Sequence, residues 1–142
     1  MVVRGLDRFY AAAGGNGVVR AVEGVSFEIG RAETLGLVGE SGCGKSTTGR
    51  VVVNLDRATA GSVAFAGREI TGLPEGERRA LRRRLQIIFQ NPPSALDPRM
   101  PVGWQIREPL DINRIGTPAE RDARVAEMLE AVSLPPAIAL RY

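Results

Sequence analysis

The sequence contains no histidine, one cysteine and one lysine. Each scarcity excludes something. Without histidine, no imidazole can act as general base near neutral pH, so a Cys-His or Ser-His nucleophile pair is ruled out. A lone Cys43 makes no internal disulfide, which fits a reducing compartment. No apolar run approaches the roughly 18–20 residues needed to cross a bilayer. Met1 to Tyr10 carries charges where a secretory leader would carry an apolar stretch, so cytosolic residence is expected. What is present is ordinary for a globular chain: 142 residues, 44% hydrophobic, 25% charged, net charge +3. That is enough for one domain with a real core. Eighteen of the nineteen basic residues are arginine, and the exception is Lys45.

The first third alternates short β-branched runs with turns. Val18–Val22 and Val25–Ile29 predict strands around Glu23-Gly24, and Thr34–Val38 predicts a buried strand, being apolar without helical period. Helical spacing follows over Lys45–Leu55. Ser62–Phe65 and Arg68–Ile70 predict a hairpin turning at Ala66-Gly67. Pro74–Arg83 reads as a charged helix with proline in its first turn, Leu85–Phe89 as a strand, and Gln90–Gly103, with four prolines, as loop. Thr117-Pro118-Ala119-Glu120 is a capping box that opens a helix with Val125, Met128, Leu129 and Val132 on one face. Pro135-Pro136 stops it.

Between the expected strand and helix lies Gly39-Glu40-Ser41-Gly42-Cys43-Gly44-Lys45-Ser46, which matches G-x-x-x-x-G-K-[ST] at every fixed position. The glycines let the backbone curl so that successive N–H groups converge on phosphate oxygens. The helix that follows adds the positive end of its dipole. In this pattern Lys45 reaches the β- and γ-phosphates, the Ser46 hydroxyl coordinates Mg²⁺, and Thr47 bonds on the α-phosphate side. An otherwise arginine-only chain has its lysine where a compact ammonium is needed and a planar guanidinium would not fit. Cys43 is read as a small loop residue, since no histidine can activate it. The expected ligand is therefore a nucleoside triphosphate, ATP with Mg²⁺.

Which phosphate-loop protein this is depends on the rest of the chain. The guanine-reading motif N-K-x-D is impossible, because the only lysine is already used. Leu35–Thr47, followed by Arg84-Leu85-Gln86-Ile87-Ile88-Phe89-Gln90-Asn91-Pro92, strongly resembles the nucleotide-binding subunit of ABC transporters. Phe89–Met100, and Ala21–Phe27 leading into Glu33–Gly42, narrow the resemblance to the dipeptide, oligopeptide and nickel importer ATPases. It runs over essentially the whole chain. The resemblance implies an α/β fold: the N-terminal part of a P-loop ATPase, with an antiparallel β subdomain, a partial parallel core sheet and the start of a helical subdomain. The boundaries expected are 1–90 for the β subdomain and phosphate-loop core, and 91–142 for the Q-loop and helical part.

The resemblance also implies roles. Gln90 matches the Q-loop glutamine, whose amide contacts Mg²⁺ or the attacking water, while the loop after it touches the membrane partner. Tyr10 takes the place of the aromatic that stacks on adenine, with Phe9 the runner-up. The implied partners are ATP, membrane permease subunits and a second ATPase subunit, with the protein peripheral on the inner face of the cell membrane. The family's second half carries a signature loop, a Walker B strand, a catalytic carboxylate and a switch histidine, none of which occurs here. The chain is accordingly expected to be an N-terminal fragment with an exposed sheet edge and no turnover by itself. The alternative reading is a nucleotide-binding fragment that never turns over. A soluble P-loop kinase is disfavoured by Gln90 and the proline loop after it.

Two look-alikes are set aside. Val51–Asp56 imitates a Walker B strand but begins six residues after Lys45, inside the helix the loop must launch. Arg78-Arg79 and Arg82-Arg83-Arg84 imitate a nucleic-acid patch, yet they alternate with Glu75 and Glu77 and lack interleaved aromatics, so they read as a solvated helix face and nucleic acid is not an expected partner.

Overall fold

The computed structural model describes residues 1–12, 14, 17–89 and 96–142. The chain divides into two compact units, Met1–Ile87 and Ile88–Tyr142.

In the first unit, β1 (Val2–Ala11) and β2 (Val18–Glu28) form a long antiparallel pair. β2 runs through the expected Glu23-Gly24 turn without breaking. Gly24 takes a φ of 63° and its N–H meets the Asp7 carboxylate at 2.7 Å, so the glycine makes an irregularity in the ladder instead of a reversal. β3 (Ala60–Phe65) pairs antiparallel with the other edge of β1, and β4 (Arg68–Glu69) closes the predicted hairpin, giving the order β2-β1-β3-β4. Gly61 sits where β3 crosses β1 so closely that a Cβ would lie 2.2 Å from the Gly5 carbonyl oxygen.

Helix α1 (Lys45–Val52) lies against this sheet. Its Val51 and Val52 join Val3, Leu6, Val63 and Ile70 in the core, with Phe27, Phe65, Leu81 and Leu85 packed at the margin. The helix ends earlier than expected. Asn54 adopts φ 63°, its N–H bonds the Val51 carbonyl at 3.0 Å, and the Leu55 N–H bonds the Arg50 carbonyl at 2.9 Å. Those two bonds are a Schellman motif, so Val51–Asp56 is a helix terminus and not a strand.

Helix α2 (Glu75–Arg82) follows. Two of its arginines are paired, Arg82 and Arg78 with Glu75 at 2.6 and 3.5 Å, while Glu77 pairs with Arg68.

Two expected core strands do not form ladders. Thr34–Val38 and Leu85–Phe89 run without strand pairing, and every ladder among the described residues is antiparallel. Val38 is 90% exposed and Ile88 97%. The physical reason is that a strand is defined by its neighbour: an apolar run bonded to nothing leaves its N–H and C=O groups to water.

The second unit packs α3 (Val102–Ile112), α4 (Pro118–Ala131) and a 3-10 helix (Pro136–Leu140) together. α3 occupies a stretch with no sequence expectation beyond loop up to Gly103, and it tolerates Pro109 inside. Gln105 pins the preceding loop to α3, its Nε2 donating to the Asp97 and Met100 carbonyls at 2.9 and 2.8 Å. The capping box at Thr117 is present with both reciprocal bonds. Val125 and Leu129 are buried as expected, whereas Val132 has become the exposed C-cap. Arg121 ties the α3–α4 turn together, meeting Asp111 at 2.6 Å and the Ile115 and Gly116 carbonyls at 2.8 and 2.7 Å.

Leu6 is completely buried at the centre of the first unit's core. Leu6→Ala is expected to destabilise that unit by about 3 kcal/mol, the range for a buried leucine that leaves a cavity. Chemical denaturation followed by far-UV circular dichroism measures it. Leu140→Ala, at an 82%-exposed position, serves as the control that leaves the midpoint unchanged.

Candidate phosphate-binding site

Gly39–Lys45 forms a surface loop that turns directly into α1. Its hinge is Gly44, the residue before the helix, at φ 93° and ψ 3°. That left-handed backbone disfavours any side chain. Space forbids one as well, since a Cβ here would stand 2.1 Å from the Ala21 carbonyl oxygen on β2. Gly39 has a similar constraint: its Cβ would meet the Cys43 sulfur at 2.6 Å. The motif's fixed glycines are therefore glycines because the loop folds onto itself and onto β2.

The loop is closed from within by Lys45. Its ammonium donates to the Gly39 carbonyl at 2.7 Å and the Glu40 carbonyl at 2.6 Å, and lies 3.6 Å from Cys43 Sγ. The charge thus sits inside the curl of the loop at the N-terminus of α1. There the first-turn N–H groups have no intrahelical acceptor and the helix dipole is positive. Glu40, Ser41, Gly42, Cys43 and Ser46 are exposed, and Thr47 is half-buried. Thr48, two residues past the motif, is buried and anchors the first turn through its N–H and hydroxyl to the Gly44 carbonyl, at 2.8 and 3.0 Å. The arrangement offers backbone donors, one ammonium and one hydroxyl to an anion with several oxygens.

The donor set limits how a metal ion could be held. Among the described residues no cluster of three acidic, histidine or cysteine side chains could cage a cation. Ser46, exposed in the first turn, is a single hard oxygen donor. That suits Mg²⁺, which keeps waters and takes its remaining oxygens from a bound phosphate.

Tyr10 lies near the end of β1 with its hydroxyl donating to Asp56 Oδ2 at 2.6 Å, and the Arg8 guanidinium stacks on its ring at 4.2 Å. Phe9 is flanked instead by Arg20, at 5.5 Å. Gln90 lies outside the described residues. Sequence reasoning missed Arg8, Asp56 and the Ala21 carbonyl. The first could have been found, because residues two apart on a strand share a face. Asp56 was visible only as part of a motif look-alike, and a backbone carbonyl leaves no mark in sequence.

Comparison with known proteins identifies the family. Residues 22–141 match the family described as ABC transporter. A putative peptide import ATP-binding protein of Brucella abortus (strain 2308) is 49% identical over 99% of this chain and 42% of its own length. The di/tripeptide transport ATP-binding protein DppF of Pseudomonas aeruginosa (strain UCBPP-PA14) is 42% identical over the whole chain and 45% of its own length. The chain thus spans less than half the length of these relatives. Among solved structures, the ATP-binding cassette MJ0796, a dimer in a post-hydrolysis state bound to ADP and Pi, superposes with a TM-score of 0.84. The match has 25% identity and covers 99% of this chain and 60% of that one. A match over residues 22–141, most of the chain, makes this chain a member of the ABC transporter family.

Proposed function

We propose that this chain binds MgATP and supplies half of the nucleotide site in the ATP-hydrolysing subunit of an importer for peptides or similar small solutes. One observation carries the reading: Lys45, the only lysine, holds its ammonium inside the curled Gly39–Gly44 loop at the head of α1. The names of the relatives support the peptide-import part.

In this reading the loop N–H groups from Gly39, Glu40, Ser41, Gly42, Cys43 and Gly44 converge on the phosphates. Lys45 moves its donors from the Gly39 and Glu40 carbonyls to β- and γ-phosphate oxygens. The exchange is favourable because neutral carbonyl acceptors are replaced by charged phosphate oxygens, which adds the attraction between opposite charges. Ser46 contributes its hydroxyl to Mg²⁺, and Thr47 bonds on the α-phosphate side. Tyr10 stacks on the adenine, and Gln90 completes the metal or water contact from the loop that meets the permease. The functional boundaries proposed are 1–90 for the β subdomain and phosphate loop, and 91–142 for the permease-facing part. The subunit works as a dimer, peripheral on the inner face of the membrane. The solved relative bound to ADP and Pi is a dimer.

Hydrolysis needs a positioned water and stabilisation of charge as it develops, together worth many powers of ten in rate. Lys45, Ser46 and Gln90 supply part of this, and no histidine contributes.

Three outcomes are expected. Lys45→Ala should weaken ATP binding by about ten- to a hundredfold in a fluorescent-nucleotide titration, since charged hydrogen bonds are lost. Lys45→Arg should fail as well, because the planar guanidinium does not fit the curl. Wild-type affinity in both would sink the assignment. Gly44→Ala should abolish binding while leaving the β-sheet signal of the sheet unit, since the displaced loop can no longer rest on Ala21. The 142-residue chain assayed alone should bind ATP without releasing phosphate above the Lys45→Ala background. Robust release that disappears in that variant would refute this last expectation.

A further inference from the structure

Tyr10 is held from two sides by residues that no role in the phosphate loop explains. Arg8 and Tyr10 are two apart on β1, so their side chains leave the same face. The Arg8 guanidinium carbon sits 4.2 Å from the centre of the Tyr10 ring. Asp56 joins the two: its Oδ1 accepts from Arg8 Nη2 at 2.9 Å, and its Oδ2 accepts from the Tyr10 hydroxyl at 2.6 Å. The Arg57 N–H adds a third bond to Oδ1 at 2.8 Å. The circuit runs from ring to hydroxyl, to carboxylate, to guanidinium and back to the ring face. Both charged side chains are about three-quarters buried. Burial disfavours the Asp56 charge, but the Tyr10 hydroxyl, the Arg57 amide and Arg8 outweigh it and hold the carboxyl below its ordinary range. The clamp is therefore ionised at neutral pH.

Its attachment point is informative. Asp56 follows directly on the Schellman turn that ends α1, and its own N–H bonds the Arg50 carbonyl at 3.2 Å. α1 begins with Lys45. One helix therefore carries the phosphate loop at its start and the anchor of Tyr10 just past its end. Thr59 reinforces the junction: its hydroxyl accepts from the Phe9 N–H at 2.9 Å and its N–H donates to the Asp7 carbonyl at 2.8 Å.

We propose that Asp56 and Arg8 are positioning residues for base recognition, fixing the Tyr10 ring so that a purine stacks on the face opposite Arg8. This rests on the reading of Tyr10 as the base-stacking aromatic. With one face covered by the guanidinium and the hydroxyl tied down, the ring has one usable face. A ring ordered beforehand loses less freedom when the base arrives. Because the anchor belongs to the α1 terminus, the distance between phosphate loop and stacking ring is set by one rigid element.

The test compares two probes on the full chain by calorimetry: MgATP, which has a base, and inorganic tripolyphosphate with Mg²⁺, which has none. Tyr10→Ala should lower ATP affinity by about five- to a hundredfold, the range for one stacked base, and leave tripolyphosphate binding unchanged. Tyr10→Phe keeps the ring but loses the bond to Asp56, and Asp56→Ala removes the anchor. Each should lower ATP affinity by about three- to tenfold, again with tripolyphosphate unchanged, and the double variant should be no weaker than the worse single, since both delete one bond. If Tyr10→Ala binds ATP like the wild type, the stacking reading falls, and the clamp with it. If Tyr10→Ala loses affinity but Tyr10→Phe and Asp56→Ala do not, the clamp alone is overturned. Parallel loss of ATP and tripolyphosphate in Asp56→Ala would mean that Asp56 only supports the fold, and would overturn the proposal too.

Discussion

The contact on which the rest depends is that between Gly44 and the Ala21 carbonyl, where the phosphate loop touches the sheet with no room for one further carbon. It sets where α1 begins and, through the left-handed turn at Gly44, the direction in which it leaves. α1 has eight residues, far below the roughly 12–15 at which an isolated helix becomes even marginal in water. Its order comes from packing: Val51 and Val52 are buried against Val3, Leu6, Val63 and Ile70, each such side chain worth about 1.5–3 kcal/mol when fully removed from water. A sheet that fixes one end through a glycine and the other face through valines leaves α1 little freedom. The donors at its N-terminus are thereby aimed before any anion arrives.

How legible this was depended on whether a feature is local. The glycine loop that leads into α1, the capping box at Thr117 and the hairpin at Ala66-Gly67 are written in consecutive residues and appear where expected. The end of α1 was misplaced by about a turn, because Asn54 in a left-handed conformation is a choice among helix continuations that spacing does not show. The spacing predicts two strands where β2 is one, because Glu23-Gly24 resembles a turn, although the glycine is absorbed as a ladder irregularity by the Asp7 carboxylate. α3 was not anticipated because Pro109 and the prolines ahead of it mask an amphipathic stretch.

Thr34–Val38 and Leu85–Phe89 differ for another reason. Their composition is right for buried strands, and Leu85 does pack at the core margin, but a ladder needs a second chain segment in register. Sequence pattern reports what a segment can bury, not whether a neighbour is there to pair with it. Leu35, Leu37 and Val38 stay exposed as a consequence in the first unit, unpaired apolar backbone of the kind that is an aggregation liability.

The state of Lys45 links fold to function most closely. Two of its three donors are satisfied by the Gly39 and Glu40 carbonyls, so the loop is held curled by the same side chain that the phosphates would recruit. A polyanion entering the curl would take over those donors and add the first-turn N–H groups of α1, which the carbonyls cannot use. The exchange would replace neutral acceptors with charged ones, with Gly44 already in the left-handed conformation from which α1 starts. An arginine could match the charge, but its guanidinium is a larger, planar group than the compact ammonium held in the curl. The single lysine of an arginine-rich chain thus stands where a point charge meets two adjacent carbonyls.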